Sequence, residues 1–583
     1  MFVIFCIKTL MITRTIAEIF RNIAKILEIK GENVFRIRAY ERAAQNIESL
    51  SEDIQDVINE NRLRDIPGIG ADLSRKIIEI ITTRKLKFYE DLKKTIPEGL
   101  LDLLNIPSVG PKHAKLFYDK LKIKSVGELK EAAKSGRLLE IEGVKEKTVE
   151  NILKGIDLVK RGRERMNLAC ALAVAEEFVK GLKKVPAVKK ISSAGSLRRM
   201  KETIRDIDIL VISNSPDKVM DVFTKLPQVK DITAKGETKS SVITKEGAQV
   251  DLRVVPEKSF GAALVYFTGS KNFNIKLRQL AIKKNLKINE YGVFREGKGK
   301  ETYIAGKSEE EIFKCLDLAY VEPEMREDNG EIELAAKGNL PELITLKDIK
   351  GDFHAHSTYS DGRSSIAEMA DTAKKLGYAY INITDHSQSL KVARGLSLAE
   401  LKKKRREIEK LNEKLKNFRI FYGTEVDIDS GGKIDYSDSI LKDFDIVVAA
   451  IHTGFKQSRA QLTKRLISAC KNKNVDIISH PTGRLWGTRD AYEIDFDEVL
   501  KTASDYGTIL EINAYPLRLD LNDANCRRAK EKGVKLAIGS DSHSANQLKS
   551  MYLGVAVARR GWLTKNDVIN TSSCDEILRM FKE

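Results

Sequence analysis

The sequence predicts a multidomain chain of α+β and α/β class: a helical N-terminal region, a mixed-sheet centre and a distorted parallel (β/α)7 barrel at the C-terminal end. Three observations predict it. Glycine turns between helical patterns repeat in the first 160 residues. Apolar strands carrying alternate acids mark the middle. Six of the seven histidines fall in the last 230 residues, at the ends of short apolar runs. A chain of 583 residues is too long for one core, so several domains are expected, each large enough to bury an interior.

The opening MFVIFCIKTL is apolar but too short to span a bilayer. It lacks a secretory signal's basic start and small-residue cleavage site, and Met11 rivals Met1 as the start. IPGIG (Ile66 to Gly70) lies between two helical patterns, and IPSVG (Ile106 to Gly110) repeats it about forty residues later. IEGVK (Ile141 to Lys145) is a weaker copy, with Lys145 where the second glycine belongs. Glycine permits a tight turn and close approach, leaving N–H groups at the next helix N-terminus for a phosphate, with Lys76 and Lys112 nearby. His113, far from the other histidines, is expected at the surface.

These segments resemble helix-hairpin-helix motifs, which grip the DNA backbone without reading sequence. The resemblance implies DNA contact through Gly68, Gly70, Gly110 and Lys112. The stretch from GENVFRIRAYERAAQNI (Gly31 to Ile47) through IPGIGADLSRKI (Ile66 to Ile77) is similar to the small lyase domain of DNA polymerase beta. That similarity puts Lys76 at the position of a Schiff-base lysine; the other reading is a solvated helix lysine.

In AGSLRRMKETIRDIDILV (Ala194 to Val211), Asp206 and Asp208 alternate on an apolar strand and so share a face. Asp251, in AQVDLRVV (Ala248 to Val255), can join them from a neighbouring strand, giving an oxygen-rich site suited to Mg²⁺ or Mn²⁺. Ser196 and the turn's N–H groups can cradle a triphosphate, and Arg199, with Arg198 beside it, offers a planar fork. The pattern resembles the nucleotidyltransferase superfamily. With YFTGSKNFNIKLR (Tyr266 to Arg278) and INEYGVF (Ile288 to Phe294), it resembles the palm and thumb of a family X DNA polymerase. The resemblance implies catalytic metals on Asp206, Asp208 and Asp251, and an incoming nucleotide held by Gly195, Ser196, Arg199, Tyr266, Phe267, Gly269 and Asn274. Tyr266 and Phe267 would border the sugar, Asn274 would read the minor-groove edge of the base, and Arg278 and Tyr291 would contact the template side. Gln249 departs from the pattern, standing where vertebrate relatives carry an arginine.

Seven apolar runs near the C-terminal end finish in polar ligand types: Ile349 to His354 and His356, Tyr380 to His386, Ile420 to Glu425, Ile446 to His452, Val475 to His480, Thr508 to Asn513, and Lys535 to Asp541 and His543. Amphipathic stretches such as Ser365 to Leu376 and Leu398 to Leu415 separate them, as in a parallel barrel whose chemistry sits at the strand ends. His354, His356, Asp361, His386, Glu425, His452, His480, Asp541 and His543 exceed one tetrahedral shell, so two to three borderline ions such as Zn²⁺, Mn²⁺ or Fe²⁺ are expected. Clustered ions neutralise both attacking and leaving oxygens, which suits phosphoester hydrolysis. HAHSTYSDG, TDHS, GTEVD, IHT, SHP and SDSH resemble the polymerase and histidinol phosphatase (PHP) family. Asp385, Asn513 and Arg518 would be outer-shell or phosphate contacts, or ordinary cappers and ion-pair partners.

The chain thus resembles, over nearly its whole length, bacterial and archaeal family X DNA polymerases with a C-terminal PHP domain. The resemblance implies a lyase-like helical domain with the first hairpin motif at 1–90 and a fingers-like helical domain with the second and third at 91–160. It implies a nucleotidyltransferase palm at 161–260, a thumb at 261–330 and the PHP barrel at 351–583; the composition of 322–350, with Pro323, Gly330, Gly338, Pro341 and many acids, marks the main linker, placed at 331–350 with its boundary near Ala336. The implied function is template-directed filling of short gaps in base excision repair. The barrel would supply metal-dependent 3′-to-5′ exonuclease and, in some members, abasic-site endonuclease or 3′-phosphatase activity. Partners would be gapped or nicked DNA and dNTPs, for a monomer without membrane attachment.

A net charge of +17 and a pI near 9.2 fit a polyanionic partner, and 161–330 is the most basic stretch. Six cysteines scattered without CxxC spacing indicate neither a zinc ribbon nor a disulfide framework, and fit a reducing cytoplasm. Two other readings exist. One is a template-independent nucleotidyltransferase fused to a small-molecule phosphatase, against which the paired hairpins weigh. The other is a DNA-binding scaffold with inactive sites, against which the complete sets of acids and histidines weigh.

Overall fold

The computed structural model describes residues 2–48, 54–66, 68–83, 85–97, 99–104, 106, 109–163, 165–297 and 300–582. It comprises two compact units, Met1–Met166 and Asn167–Glu583. Met1, and Pro67, Pro107 and Ser108 of the repeated turns, lie outside the described residues.

The first unit is helical and has two cores. Helices Phe2–Lys30, Val34–Glu48, Ile54–Asn59 and Ala71–Thr83 surround Phe20, Ile23, Ile47 and Ile77, all excluded from water. Leu73, Ile77 and Ile80 recur at helical spacing, and each such side chain contributes roughly 1.5–3 kcal/mol by burial. Helices Pro111–Leu121, Val126–Lys134 and Glu146–Arg163 enclose Leu103, Phe117, Leu129 and Ile152. The repeated turns lead into helices as expected: Gly68 has φ +81° ahead of Ala71, and Gly110 precedes a helix whose first residue is Pro111. Among the described residues no helix is long and apolar enough to cross a membrane.

The second unit opens with a five-stranded mixed sheet of Val188–Ser193 (β1), Asp206–Ser213 (β2), Val229–Lys235 (β3), Lys239–Thr244 (β4) and Gln249–Val255 (β5). The order is β1-β2-β5-β4-β3, with β2 and β5 parallel and the other neighbours antiparallel. An antiparallel meander of Leu286–Asn289 (β6), Gly292–Gly297 (β7) and Lys300–Ala305 (β8) follows. Seven parallel strands then run in sequence order: Gly351–Ala355 (β9), Tyr380–Ile383 (β10), Arg419–Asp427 (β11), Ile446–Ala450 (β12), Ile477–Ile478 (β13), Ile509–Asn513 (β14) and Leu536–Gly539 (β15). A bridge between Ala355 and Ser542 brings the first strand to the last, so the sheet curls into a nearly closed (β/α)7 barrel. Phe353, Tyr380, Phe421, Val448, Ile477 and Ile509 form one apolar cluster with Ile577 of the C-terminal helix Cys574–Lys582, so part of the barrel is packed core.

The expected linker needs correction. Residues 331–350 carry the helix Glu331–Ala336 and a turn at Leu346–Asp348, and Ile332, Ala335 and Leu343 are buried with Phe273, Phe313 and Trp562. Apolar side chains there leave water for a core shared by the meander region and the barrel, so Ala336 does not separate two bodies.

Candidate active sites

The central sheet gathers the three acids by register. Strands β2 and β5 pair in parallel with Asp208 opposite Asp251 and Asp206 opposite Gln249. Ile207 and Val250 fill the buried face, which leaves the acids half-buried on the other. Burial, then the charges of Asp206 and Asp251, push the Asp208 carboxyl up to about 7, and Arg253 and Lys239 offset this only in part. Such crowding of negative charge is what a divalent cation relieves, so the residues fit the expected metal. Gln249, the departure noted in the sequence, donates from Nε2 to Oδ1 of Asp251 at 3.0 Å. It thereby orients the acid without bringing a positive charge.

Beside this triad, the turn Gly195–Arg198 packs on Asp208, whose carbonyl accepts from the Ala194 N–H at 2.8 Å. Ser196 is half-buried. Arg199 is buried; its Nε donates to Glu327 at 3.0 Å and its Nη1 to the Thr268 carbonyl. Arg198 forms a bidentate pair with Glu309 at 2.8 and 2.6 Å and also reaches Thr268. Tyr266 and Phe267 meet edge to face with centroids 5.0 Å apart, and Asn274 Nδ2 donates to the Tyr266 carbonyl at 2.6 Å. Gly269, at φ +68°, ends the helix Phe260–Thr268, while Arg278 and Tyr291 are exposed.

The barrel brings all nine of its expected ligands together. His356, Asp361, His386 and His543 form one group with ligand atoms within 4.8 Å of one another; His354, His356 and Asp541 form a second; His386, Glu425 and His452 form a third. His480 joins through Nε2, 3.0 Å from Oε1 of Glu425. Glu425 is central: Oε2 lies 3.4, 3.6 and 3.0 Å from His354, His356 and His386, and Oε1 lies 3.3 Å from His452. Strand ends position these groups, and His480 (φ +28°) and Asp541 (φ +52°) hold left-handed conformations unusual for such residues.

Electrostatics divide the histidines. Burial pushes His356 and His480 down to about 4, aided for His356 by His543 and His386 and for His480 by Arg518. His452 and His543 are also buried, but Glu425 and Asp361 respectively outweigh that and raise them to about 9. Despite burial, His354 lowers Glu425 and Asp541, and His543 lowers Asp361. The Nδ1 atoms of His356 and His480 are buried without a hydrogen-bond partner among the described residues. The Nε2 atoms of His354 and His356 face each other at 3.0 Å. Facing imidazole nitrogens and concentrated carboxylates form a donor set that fits divalent metal ions.

The outer residues are better defined than the sequence allowed. Asp385 accepts from the Ser357 N–H at 2.7 Å, from the Ser360 hydroxyl at 2.7 Å and from Lys404 at 2.9 Å, Lys404 itself being fully buried. Asn513 and Arg518 both reach Oδ2 of Asp541, at 3.1 and 3.3 Å. Sequence reasoning missed Glu511, which sits 2.7 Å from Nδ1 of His354 and accepts from the His480 N–H at 2.7 Å. Its signal was available, since Glu511 precedes Asn513 at the end of β14 with the same parity.

In the helical unit, Gly70, Gly110 and Lys112 are exposed near helix N-termini, and His113 stacks on Phe117 at 5.7 Å. Lys76 donates to the Tyr40 hydroxyl at 2.8 Å and to Asp72, and lies 4.6 Å from the centre of the Phe88 ring. Burial would lower it, but Asp72 and Tyr40 prevail and raise it, so its ammonium is stabilised.

Comparison with known proteins yields four family matches: a helix-hairpin-helix domain over residues 11–86, a SAM-like helix-hairpin-helix tandem over 100–157, a DNA polymerase beta thumb over 263–327 and a PHP domain over 352–515. The chain is 40% identical over 576 residues to the DNA polymerase/3'-5' exonuclease PolX of Bacillus subtilis (strain 168), covering 98% of this chain and 99% of that protein. It is 34% identical over 232 residues to a probable phosphatase of Thermoanaerobacter sp. (strain X514), covering 38% of this chain and 89% of that protein. A probable phosphatase of Shewanella sp. (strain MR-4) is 30% identical over 232 residues, 38% of this chain and 87% of that protein.

Proposed function

The chain belongs to the family of the DNA polymerase/3'-5' exonuclease PolX, and from that premise we propose that it fills short gaps in DNA by template-directed synthesis during base excision repair, and trims 3′ ends with its barrel. The observation that carries the reading is the parallel register setting Asp208 against Asp251, in one chain with nine converging barrel ligands. Divalent ions supply Lewis acidity for phosphoryl transfer and hydrolysis when bound: Mg²⁺ or Mn²⁺ on Asp206, Asp208 and Asp251, and two to three Mn²⁺ or Zn²⁺ on the barrel ligands.

The chain's own residues do the rest. Ser196 and the turn's N–H groups bind phosphate oxygens, and Arg199, fixed by Glu327 and the Thr268 carbonyl, adds its Nη2. Tyr266 and Phe267 flank the sugar, and Asn274, anchored on the Tyr266 carbonyl, meets the base edge. Arg278 and Tyr291 touch the template side. In the barrel, Glu511 holds the Nδ1 proton of His354 and leaves Nε2 as the donor atom, while Arg518, beside Asp541, steadies a phosphate. Exonuclease activity follows, with abasic-site endonuclease and 3′-phosphatase chemistry open to the same centre. Gly68, Gly70, Gly110 and Lys112 hold the DNA backbone. The protonated state of Lys76 suits a phosphate contact better than Schiff-base attack. The protein acts as a monomer in the cytoplasm, on the nucleoid when bound to DNA.

The test offers one-nucleotide gapped DNA, blunt DNA and histidinol phosphate to the intact protein, Asp208→Ala and His356→Ala. Asp208→Ala abolishes gap filling alone and His356→Ala abolishes nuclease activity alone. Turnover of histidinol phosphate without dNTP incorporation would instead establish the template-independent transferase and phosphatase reading.

A further inference from the structure

Three arginines of the barrel half hold the central sheet's phosphate turn and the segment behind it. Arg484 donates to Glu202 at 2.8 Å and Arg559 to Glu324 at 2.6 Å. Arg560, the last residue of the helix Met551–Arg560, donates from Nη1 to the carbonyl oxygen of Arg199 at 2.7 Å and to Oε1 of Glu327 at 3.1 Å. That same Oε1 accepts from Nε of Arg199. Arg560 is itself anchored by Asp523, with Nε and Nη2 at 2.8 and 2.6 Å from one carboxylate oxygen.

Position and charge give Arg560 a task. Nε and Nη1 of Arg199 are committed to Glu327 and Thr268, so Nη2 is the part of the fork without a protein partner among the described residues. The side chains of Arg199, Glu327 and Arg560 are only 10%, 15% and 6% exposed, so solvent screens their charges weakly. Without Arg560, Glu327 would face Arg199 with Lys201 alone, at 3.7 Å, to share its charge, and would drain the positive potential a triphosphate needs. Arg560 shares that charge, and by binding the Arg199 carbonyl it also pins the backbone that aims the fork.

We infer that Arg560 is a positioning residue for nucleotide binding at the central sheet, so that the barrel half sets the affinity for the incoming triphosphate through a strut independent of its own metal chemistry. The inference rests on the nucleotidyl-transfer reading of the central sheet. The full-length protein is measured on one-nucleotide gapped DNA with a dideoxy-terminated primer, for the equilibrium Kd of the complementary dNTP, and on an extendable primer for kcat and KM. Arg560→Ala weakens Kd and raises KM by about tenfold, with kcat and 3′-to-5′ degradation within about twofold. Arg560→Lys, which keeps the charge but not the fork, recovers part of the loss, and Asp523→Ala gives a smaller loss of the same kind. An unchanged Kd with intact degradation overturns the inference, as does a parallel loss of dNTP affinity, kcat and degradation, the mark of a merely structural role. A wild-type protein that binds and incorporates no dNTP defeats the nucleotidyl-transfer reading itself, and this inference with it.

Discussion

Gly195 and Asp208 are packed so closely that a Cβ on the glycine would overlap Oδ2 of the aspartate. The glycine also sits at φ +63°, where a side chain is strained in any surroundings. Gly195→Ala must therefore push the carboxylate aside or twist the phosphate turn. Gap filling should fall by about a hundredfold or more, since displacements near 1 Å at a reacting centre cost that much. Exonuclease activity of the same preparation should be unchanged, which serves as the folding control. A normal gap-filling rate in the variant would take Asp208 out of the chemistry.

Glu309 ties the phosphate turn to the segment beyond the meander. It is 5% exposed and receives Arg198 in a bidentate pair and Arg326 at 2.7 Å. Burial opposes its charge, yet Arg198 and Arg326 outweigh it and hold the carboxyl at about 2, below its ordinary 4.5. A carboxyl depressed in the folded state contributes stability that is fully present above pH 4.5 and fades as pH falls towards 2. Glu309→Gln leaves two guanidinium groups uncompensated, so the second unit should lose roughly 3–5 kcal/mol at pH 7. Urea unfolding at a series of pH values checks this: the gap to wild type should narrow below pH 4.5, and a gap constant with pH would count against the ion pair as its source.

How much of this was legible beforehand depended on whether a residue's neighbours were local. The barrel ligands could be read because each lies at or just beyond a strand end, and fold periodicity places strand ends together. The acid triad was legible for the same reason: Asp206 and Asp208 share parity, and Asp251 needed only one strand pairing. Lys404 was not. It stands in LKKKRREIEK, where charge density argues for solvent, yet it is fully buried on the stripe of Leu401 and Ile408 and donates to the Ile383 and Gly423 carbonyls. Glu327 was illegible too, because its partners Arg199 and Arg560 lie 128 and 233 residues away along the chain. The 322–350 segment misled by composition, since Pro323, Gly330, Gly338, Pro341 and its acids suggested a linker while Ile332, Ala335 and Leu343 supplied a core.

Glu511 fixes two histidines, His354 through its ring and His480 through its backbone. Glu511→Gln keeps the shape and removes the charge that holds the Nδ1 proton of His354. Losing the partner that orients a ligating histidine lowers metal affinity by about 10–100-fold. Titration of the metal-free protein with Mn²⁺ or Zn²⁺ should show that weakening directly, with gap filling unaffected. Equal affinity in variant and wild type would reduce Glu511 to a packing residue.

Lys76 is held by Asp72, the Tyr40 hydroxyl and the face of Phe88, and its ammonium is favoured above its ordinary 10.5. Attack on an abasic aldehyde needs the neutral amine. At pH near 7.5 the wild-type protein should therefore give little borohydride-trapped adduct with a 5′-deoxyribose phosphate end, and the yield should climb with pH. Asp72→Asn removes a partner that raises the lysine, so trapping at the same pH should increase by about tenfold. Lys76→Ala in that background should return it to zero. Efficient trapping by the wild type at neutral pH, lost in Lys76→Ala, would mean that the Asp72 pair opens on DNA and that the ammonium favoured by that pair is not the reacting state.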